Sequence, residues 1–436
     1  MKFEKPFLFL SALIASFVIA SGVTTVSKPS NYSESYPVVV CPPTLNGLTS
    51  QISISSRKTQ YQRLENRSSK TVPFKALRFP VAKDSLVISA LGTTPLIWQS
   101  RAGSWAGGTL CSGPNSAAWF VGGTANVTSR GRLIIVNSGL SDSIVDVQSY
   151  TENAKQPIKS VNLKSKSYVQ LSLDSLAPGD KSLAVQVTPR SGRVNAFMID
   201  EQGAGLKALG GDFVNPYPSA SKELVIPAIP NQLPKAGQKA SASHTLRILT
   251  PGDVNTTFTL EVLSADGKFI PVGMSSRSIE AGVVSEFTFE PRISASAFAV
   301  RVTSPEPIVA SVSSSVTISG HKDFVWSTAS PSLTPMSIAV TGLSPLIAFA
   351  GESISVKVKA TLVNGKTVSS SVKGSDIATW RVPENARSIT IVSSSKGVFA
   401  GALIASTNGY GFIPIVNGSA LTRVEVPNSN IRVLNP

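Results

Sequence analysis

Leu183-Ala184-Val185-Gln186-Val187-Thr188, a short polar gap, then Arg193-Val194-Asn195-Ala196-Phe197-Met198-Ile199 is the stretch whose reading decides the fold. Two runs rich in β-branched residues, joined by turn formers, have the pattern of a β-hairpin. The pattern returns as Phe298-Ala299-Val300-Arg301-Val302-Thr303 followed by Pro307-Ile308-Val309-Ala310-Ser311-Val312. It returns more loosely as Ser388-Ile389-Thr390-Ile391-Val392 followed by Gly397-Val398-Phe399-Ala400-Gly401-Ala402. A unit that recurs at this length marks a tandem array.

The flanks echo as well. Arg132-Leu133-Ile134-Ile135-Val136-Asn137 corresponds to Leu246-Arg247-Ile248-Leu249, and the copies are offset by 113 residues at Leu133 and Leu246 and by 115 at Val187 and Val302. In the last copy Ile354-Ser355-Val356-Lys357-Val358-Lys359-Ala360 alternates strictly, and Asn364-Gly365 is a two-residue hairpin turn. Short strands with turn residues between them predict an all-β chain of tandem immunoglobulin-like β-sandwich modules, at 126–232, 233–335 and 336–436. The antibody pairing of a core Trp with an inter-sheet cystine is absent from all three copies, so the likeness is architectural. Prolines 216, 218, 227, 230 and 234, and then 331 and 335, predict joints between modules. Among these, Ile226-Pro227-Ala228-Ile229-Pro230 reads as an extended connector.

Residues 38–125 form a β-rich region with its own character. Ile52, Ile54, Leu77, Phe79, Val81 and Leu86-Val87-Ile88 alternate with polar residues as half-buried strands do. Trp98, Trp105 and Trp119 follow, close to Cys111. These rings read either as packed core or as a surface that stacks on a ligand. Cys41 and Cys111 are the only cysteines, and with His244 and His321 far away in sequence they fall short of a zinc ligand set. In an exported chain they most simply form one disulfide, the alternative being two buried thiols.

The amino terminus sets the compartment. Lys2 and Lys5 precede an uncharged apolar run over residues 7–27 that contains Ala20-Ser21-Gly22, which describes an export signal. The run, about 20 residues, would also just span a bilayer, so a retained signal-anchor helix is the rival reading. The lysines keep that end cytoplasmic either way. Residues 28–37 read as a tether, and the body lies outside the membrane, secreted or anchored through residues 7–27.

Forty basic against 25 acidic residues give a formal charge of +15. Arg57, Lys58, Arg63, Arg67 and Lys70 are the one local concentration, and, with Tyr61 the one aromatic residue among them, they lack the aromatic interleaving that nucleic-acid binding would require. Other envelope proteins, anionic cell-wall polymers and lipid headgroups are the partners that fit this charge. No zinc-protease, calcium-loop, phosphate-loop or nucleophile-elbow motif occurs. Gly203-Ala204-Gly205-Leu206-Lys207-Ala208 mimics a dinucleotide fingerprint, but Gly210-Gly211 would end any helix there within two turns, so it reads as a loop. His244 and His321 read as solvated loop residues. No catalytic residue, metal or cofactor is expected.

The order of features carries a resemblance. Cys41-Pro42, Trp105 through Cys111 to Trp119-Phe120-Val121-Gly122-Gly123, then Leu133-Ile134-Ile135-Val136-Asn137, Leu183-Ala184-Val185-Gln186-Val187 and Val225-Ile226-Pro227 resemble a family of exported actinobacterial proteins of unknown function. The resemblance implies a signal or anchor segment, a β-rich extracellular body and no assigned catalytic residues. The expected function is a non-catalytic structural or interaction platform of the cell envelope. The alternative is a cell-wall polysaccharide or anionic-polymer binder that uses Trp98, Trp105 and Trp119.

Overall fold

The runs that suggested a hairpin do not pair with each other. The structure, a computed structural model, describes residues 38–64, 71–89, 92–205, 207–232, 244–318 and 320–419. In it Leu183–Ser191 pairs with Ser143–Thr151 and Ala118–Val121, whereas Asn195–Ala204 pairs with Arg132–Asn137 and Lys207–Val214. The two runs therefore lie in facing sheets, and the gap between them is a corner. In the next copy they are one unbroken strand, Ala297–Ile318. Its first half pairs with Thr256–Ser264 and its second with His244–Leu249 and His321–Thr328. Ala386–Ser394 and Phe399–Ala405 likewise pair with opposite halves of one long strand, Leu346–Leu362, the first with Val356 to Leu362 and the second with Leu346 to Ala350. Each run buries one face against the other across the sandwich, as Val185 and Val187 do with Ala196 and Met198 in one core. Alternation reads the same for a hairpin and for a strand that switches sheets.

The described residues are all-β apart from one 3-10 turn at Leu173–Ser175, and among them no helix is long and apolar enough to cross a membrane. The signal or anchor segment and the tether lie outside the described residues. Strands group into four sandwiches with one pairing order. In the second, one sheet runs Ser167–Ser172, Arg132–Asn137, Asn195–Ala204, Lys207–Val214, and the other Lys159–Leu163, Ser143–Thr151, Leu183–Ser191, Ala118–Val121. The region with its own character repeats that order. Its sheets are Arg78–Pro80, Thr49–Ser53, Leu96–Arg101, Trp105–Leu110 and Val72–Pro73, Gln60–Arg63, Leu86–Ser89, Val38–Cys41. Its strands are only two to six residues long, too short for their periodicity to announce a copy. The segment expected as a connector, 226–230, is part of the strand Ser221–Pro230, which pairs with Ala297–Ile318. Prolines are tolerated there because the strand ends a sheet.

The four sandwiches close on one another. Four of the apolar cores lie mainly within single sandwiches, and further clusters fill the interfaces between neighbours. The fourth sandwich meets the first where Thr94 bridges to Ile338 and Ser53 Oγ donates to the Thr341 carbonyl at 2.8 Å. At the centre the last strand of each sandwich meets its counterparts: Trp105–Leu110 and His321–Thr328 each lie against both Lys207–Val214 and Tyr410–Pro414. No regular ladder joins these four strands, so their backbone groups need other partners.

Candidate functional site

Aspartates supply those partners. Asp212 Oδ2 accepts the Trp326 amide at 3.0 Å, and Asp323 Oδ1 accepts the Gly211 amide at 3.0 Å, so the second and third sandwiches exchange one side-chain tie each. Each aspartate also accepts the amide of the following phenylalanine, Phe213 at 2.8 Å and Phe324 at 2.9 Å. Asp200 Oδ2 accepts the Trp326 indole N–H at 3.0 Å. Asn215 Nδ2 donates to the Phe412 carbonyl at 3.0 Å and reaches that of Gly108 at 3.3 Å. The strands approach closely because glycines face the aspartates: a Cβ on Gly107 would lie 2.3 Å from Asp212 Oδ1.

Burial governs the chemistry of this centre. Asp200 and Asp212 are fully buried, and desolvation raises both carboxyls above the ordinary range, Asp212 well above it, against the amides that hold them down. Asp323 is raised to about 7, again chiefly by burial. Arg247 approaches from the third sandwich, its guanidinium 4.7 Å from the Trp326 ring, donating to the carbonyls of Gly123 and Leu183 and pairing with Glu286 at 2.7 Å. The centre is a set of buried struts.

The sequence-predicted residues take other places. Cys41 and Cys111 form the expected disulfide inside the core of the first sandwich. The tryptophans do not form a stacking surface. Trp98, Trp105 and Trp119 are 6 %, 0 % and 4 % exposed. Trp98 packs into the core of the fourth sandwich, Trp105 between the first and second, and Trp119 between the second and third. Each large ring fills apolar space where sandwiches meet. His244, expected in a solvated loop, is a buried strand residue whose Nδ1 lies 2.9 Å from Ser314 Oγ, among Phe289 and Phe298. Burial lowers its imidazole to about 4. His321 contacts the Asn408 carbonyl at 3.2 Å through Nε2. The dinucleotide-like stretch is a hairpin turn, with Ala204 opposite Lys207 and Gly205 at a φ of 61°. Among the described residues no group of His, Cys, Asp or Glu could hold a metal ion. Arg67 and Lys70 of the basic concentration lie outside the described residues, and Arg63 pairs with Asp84 at 2.9 Å.

Surface recesses occur between sandwiches and on the third sandwich itself. A groove of about 570 Å³ between the second and third includes Trp119, Tyr150, Asp253 and Glu306. Beside it a shallower one of about 690 Å³ includes Glu280 and Glu306. The third recess is a cleft of about 280 Å³ between the first and second sandwiches, lined by Asn46, Arg101, Arg130, Arg132, Gln170 and Glu201. Arg101 holds both oxygens of Glu201, at 2.6 and 2.9 Å, and that carboxylate is 4 % exposed.

Sequence reasoning missed Asp200, Asp212, Asp323 and the arginine cleft. One signal was present: Asp212-Phe213-Val214 recurs as Asp323-Phe324-Val325, 111 residues on and close to the repeat offset. An acid kept inside an apolar strand at matching places in two copies has a fixed partner. The cleft has no linear signal, because its arginines come from two sandwiches.

A model described as a family of unknown function, DUF5719, matches residues 90–377, well over half of the chain. No curated protein matches it. Among solved structures, the crystal structure of Thermotoga maritima 1070 is similar over 24 % of this chain and 94 % of that one, at 17 % identity and a TM-score of 0.21. The structure of the infectious bursal disease virus Gx strain is similar over 87 % of this chain and 82 % of that one, at 11 % identity and a TM-score of 0.12. At these scores neither carries an argument about fold or function.

Proposed function

The chain belongs to the DUF5719 family, whose function is unknown, and from that premise we propose that it is a non-catalytic extracytoplasmic platform of the cell envelope. The observation that carries this reading is the buried centre where the last strands of the four sandwiches meet. Its strongly perturbed carboxyls are bound to backbone amides of neighbouring sandwiches and have no surface through which a substrate could meet them. A general acid or base must come within hydrogen-bond reach of the proton it moves. What this arrangement supports is rigidity: four sandwiches locked together, presenting a fixed outer surface. The disulfide supports an oxidising compartment. The basic, apolar start supports export, with residues 7–27 either removed or kept as an anchor, as in the exported actinobacterial proteins the sequence resembles. The polysaccharide reading that rested on Trp98, Trp105 and Trp119 is the less supported one, since Trp98 and Trp105 are buried where sandwiches meet and Trp119, in the wall of the groove between the second and third, is 4 % exposed.

Two measurements test the proposal. The mass of the protein from fractionated cells places it: a chain beginning near residue 22 is released, and an intact one in the membrane fraction is anchored. Photo-crosslinking from exposed Leu140 and Val272 in intact cells is expected to give discrete adducts with the same envelope component in repeated preparations. Turnover of an envelope polymer by the purified protein, with no discrete adduct, would refute the platform reading.

A further inference from the structure

We propose that the cleft between the first and second sandwiches is a binding site for an oxyanion, a phosphate or carboxylate group carried on an envelope polymer. The proposal goes beyond the platform reading and does not depend on it. Three guanidinium groups line the cleft, and one carboxylate, Glu201, faces them. Both oxygens of Glu201 are already taken by Arg101 in a bidentate pair, so that pair is complete and largely buried. Arg132 uses one nitrogen, Nη1, to donate to the carbonyls of Arg130 and Gly131. The Arg130 guanidinium has no hydrogen bond or ion pair with a described residue, nor do the side-chain amides of Asn46 and Gln170. The unused valences of the cleft are therefore guanidinium N–H donors and two side-chain amides, each able to turn its NH₂ to a ligand, backed by two uncompensated positive charges, which suits an anion and penalises a cation or an apolar group.

The donors stand on fixed elements. Arg132 is on Arg132–Asn137, a strand paired on both sides, and Gln170 is on its neighbour Ser167–Ser172. The Arg130 amide is tied to the Glu201 carbonyl at 2.8 Å, and Arg101 ends the strand Leu96–Arg101. With the backbone fixed, only side-chain rotamers remain to be ordered when the donors close on a ligand. A volume of about 280 Å³ takes an oxyanion and the unit bearing it, and the polymer can leave through the open side where Arg130 and Gln170 are exposed.

The test is calorimetric titration of the disulfide-intact protein with inorganic phosphate, then with polyphosphate and polygalacturonate. Phosphate is expected to bind saturably and to bind Arg130→Ala and Arg132→Ala about tenfold more weakly or worse, the size of one charge-assisted hydrogen bond. Lys357→Ala, an exposed lysine on the fourth sandwich, should leave binding unchanged. If Arg132→Ala lowers the melting temperature through its lost carbonyl contacts, Arg130→Ala carries the comparison. The polymer that displaces phosphate from the wild type distinguishes a phosphate from a carboxylate source. Absence of saturable binding, equal binding by Arg130→Ala, an equal loss in Lys357→Ala, or displacement by neither polymer would overturn the proposal.

Discussion

Replacing Asp323 by asparagine should remove a pH dependence from the stability of this protein without removing the strut. Asp323 Oδ1 accepts two amides, Gly211 and Phe324, while Oδ2 makes no hydrogen bond of good geometry although the Tyr410 amide faces the carboxylate, so an asparagine can keep the accepting oxygen of the strut in place. In the wild type the carboxyl is raised to about 7 from an ordinary value of 3.8. A raised folded-state pKa contributes stability that is fully present below the unfolded value and lost as pH rises through the folded one. Between pH 5 and pH 8 the folded carboxyl releases its proton while the unfolded one is already ionised, which removes about 2.5 kcal/mol. His244 acts in the opposite direction. Its imidazole, lowered to about 4, opposes folding as pH falls below the unfolded value of 6.5. The wild-type curve alone therefore mixes several terms, since burial also raises the Asp200 and Asp212 carboxyls. The useful quantity is the difference between Asp323→Asn and wild type in urea unfolding, measured at pH 5, 6.5 and 8, because His244 is present in both. The variant should gain about 2.5 kcal/mol relative to wild type from pH 5 to pH 8. Parallel curves, with a relative change under about 1 kcal/mol, would refute burial as the controlling term at this centre.

Three further outcomes follow from the packing. Cys41→Ser with Cys111→Ser opens a loop whose ends are 70 residues apart, and should cost about 4 kcal/mol in denaturant unfolding; a loss below about 1 kcal/mol would remove the disulfide from the stabilising terms. Gly107→Ala places a Cβ 2.3 Å from Asp212 Oδ1 and 3.1 Å from the Phe213 amide, and should lower stability by about 2 kcal/mol or more, whereas Gly252→Ala, with open space around it, should be neutral. In a Trp380→Phe background, which removes the one half-buried tryptophan, acrylamide should quench native fluorescence weakly, since Trp98, Trp105, Trp119 and Trp326 are buried, and soluble glycans should leave the emission unmoved; strong quenching or a glycan-induced shift would return those rings to the surface.

Much of the fold was legible because burial imposes period-two alternation on strands such as Thr256–Ser264. A turn does fall at Asn364-Gly365, though as a three-residue loop, with Thr361 opposite Thr367, the Leu362 amide donating to the Lys366 carbonyl and only Gly365 at positive φ (88°), rather than the two-residue turn expected. What alternation could not tell was the partner of each run. Leu183–Ser191 and Asn195–Ala204 follow one another and are both apolar on one face, yet each finds its hydrogen bonds elsewhere, at Ser143–Thr151 and at Lys207–Val214. Adjacency in sequence suggested adjacency in a sheet. Long-range pairing decided otherwise, and the continuous Ala297–Ile318 shows the corner without any gap at all.

The centre was hidden for a different reason. Each sandwich contributes one short strand to it, and no single copy contains a complete tie. Asp212 needs an amide from the strand of Trp326, Asp323 needs one from the strand of Gly211, and Gly107 of the first sandwich must lack a side chain for Asp212 to fit. Read within its own copy, each of these residues is an anomaly: an acid in an apolar strand, or a glycine that weakens one. Read across copies, they are complementary halves. In a repeat chain that closes on itself, residues that break the local pattern at equivalent positions therefore mark where the copies meet. The tripeptide shared by Asp212 and Asp323 is the place where that rule could have been applied from sequence alone.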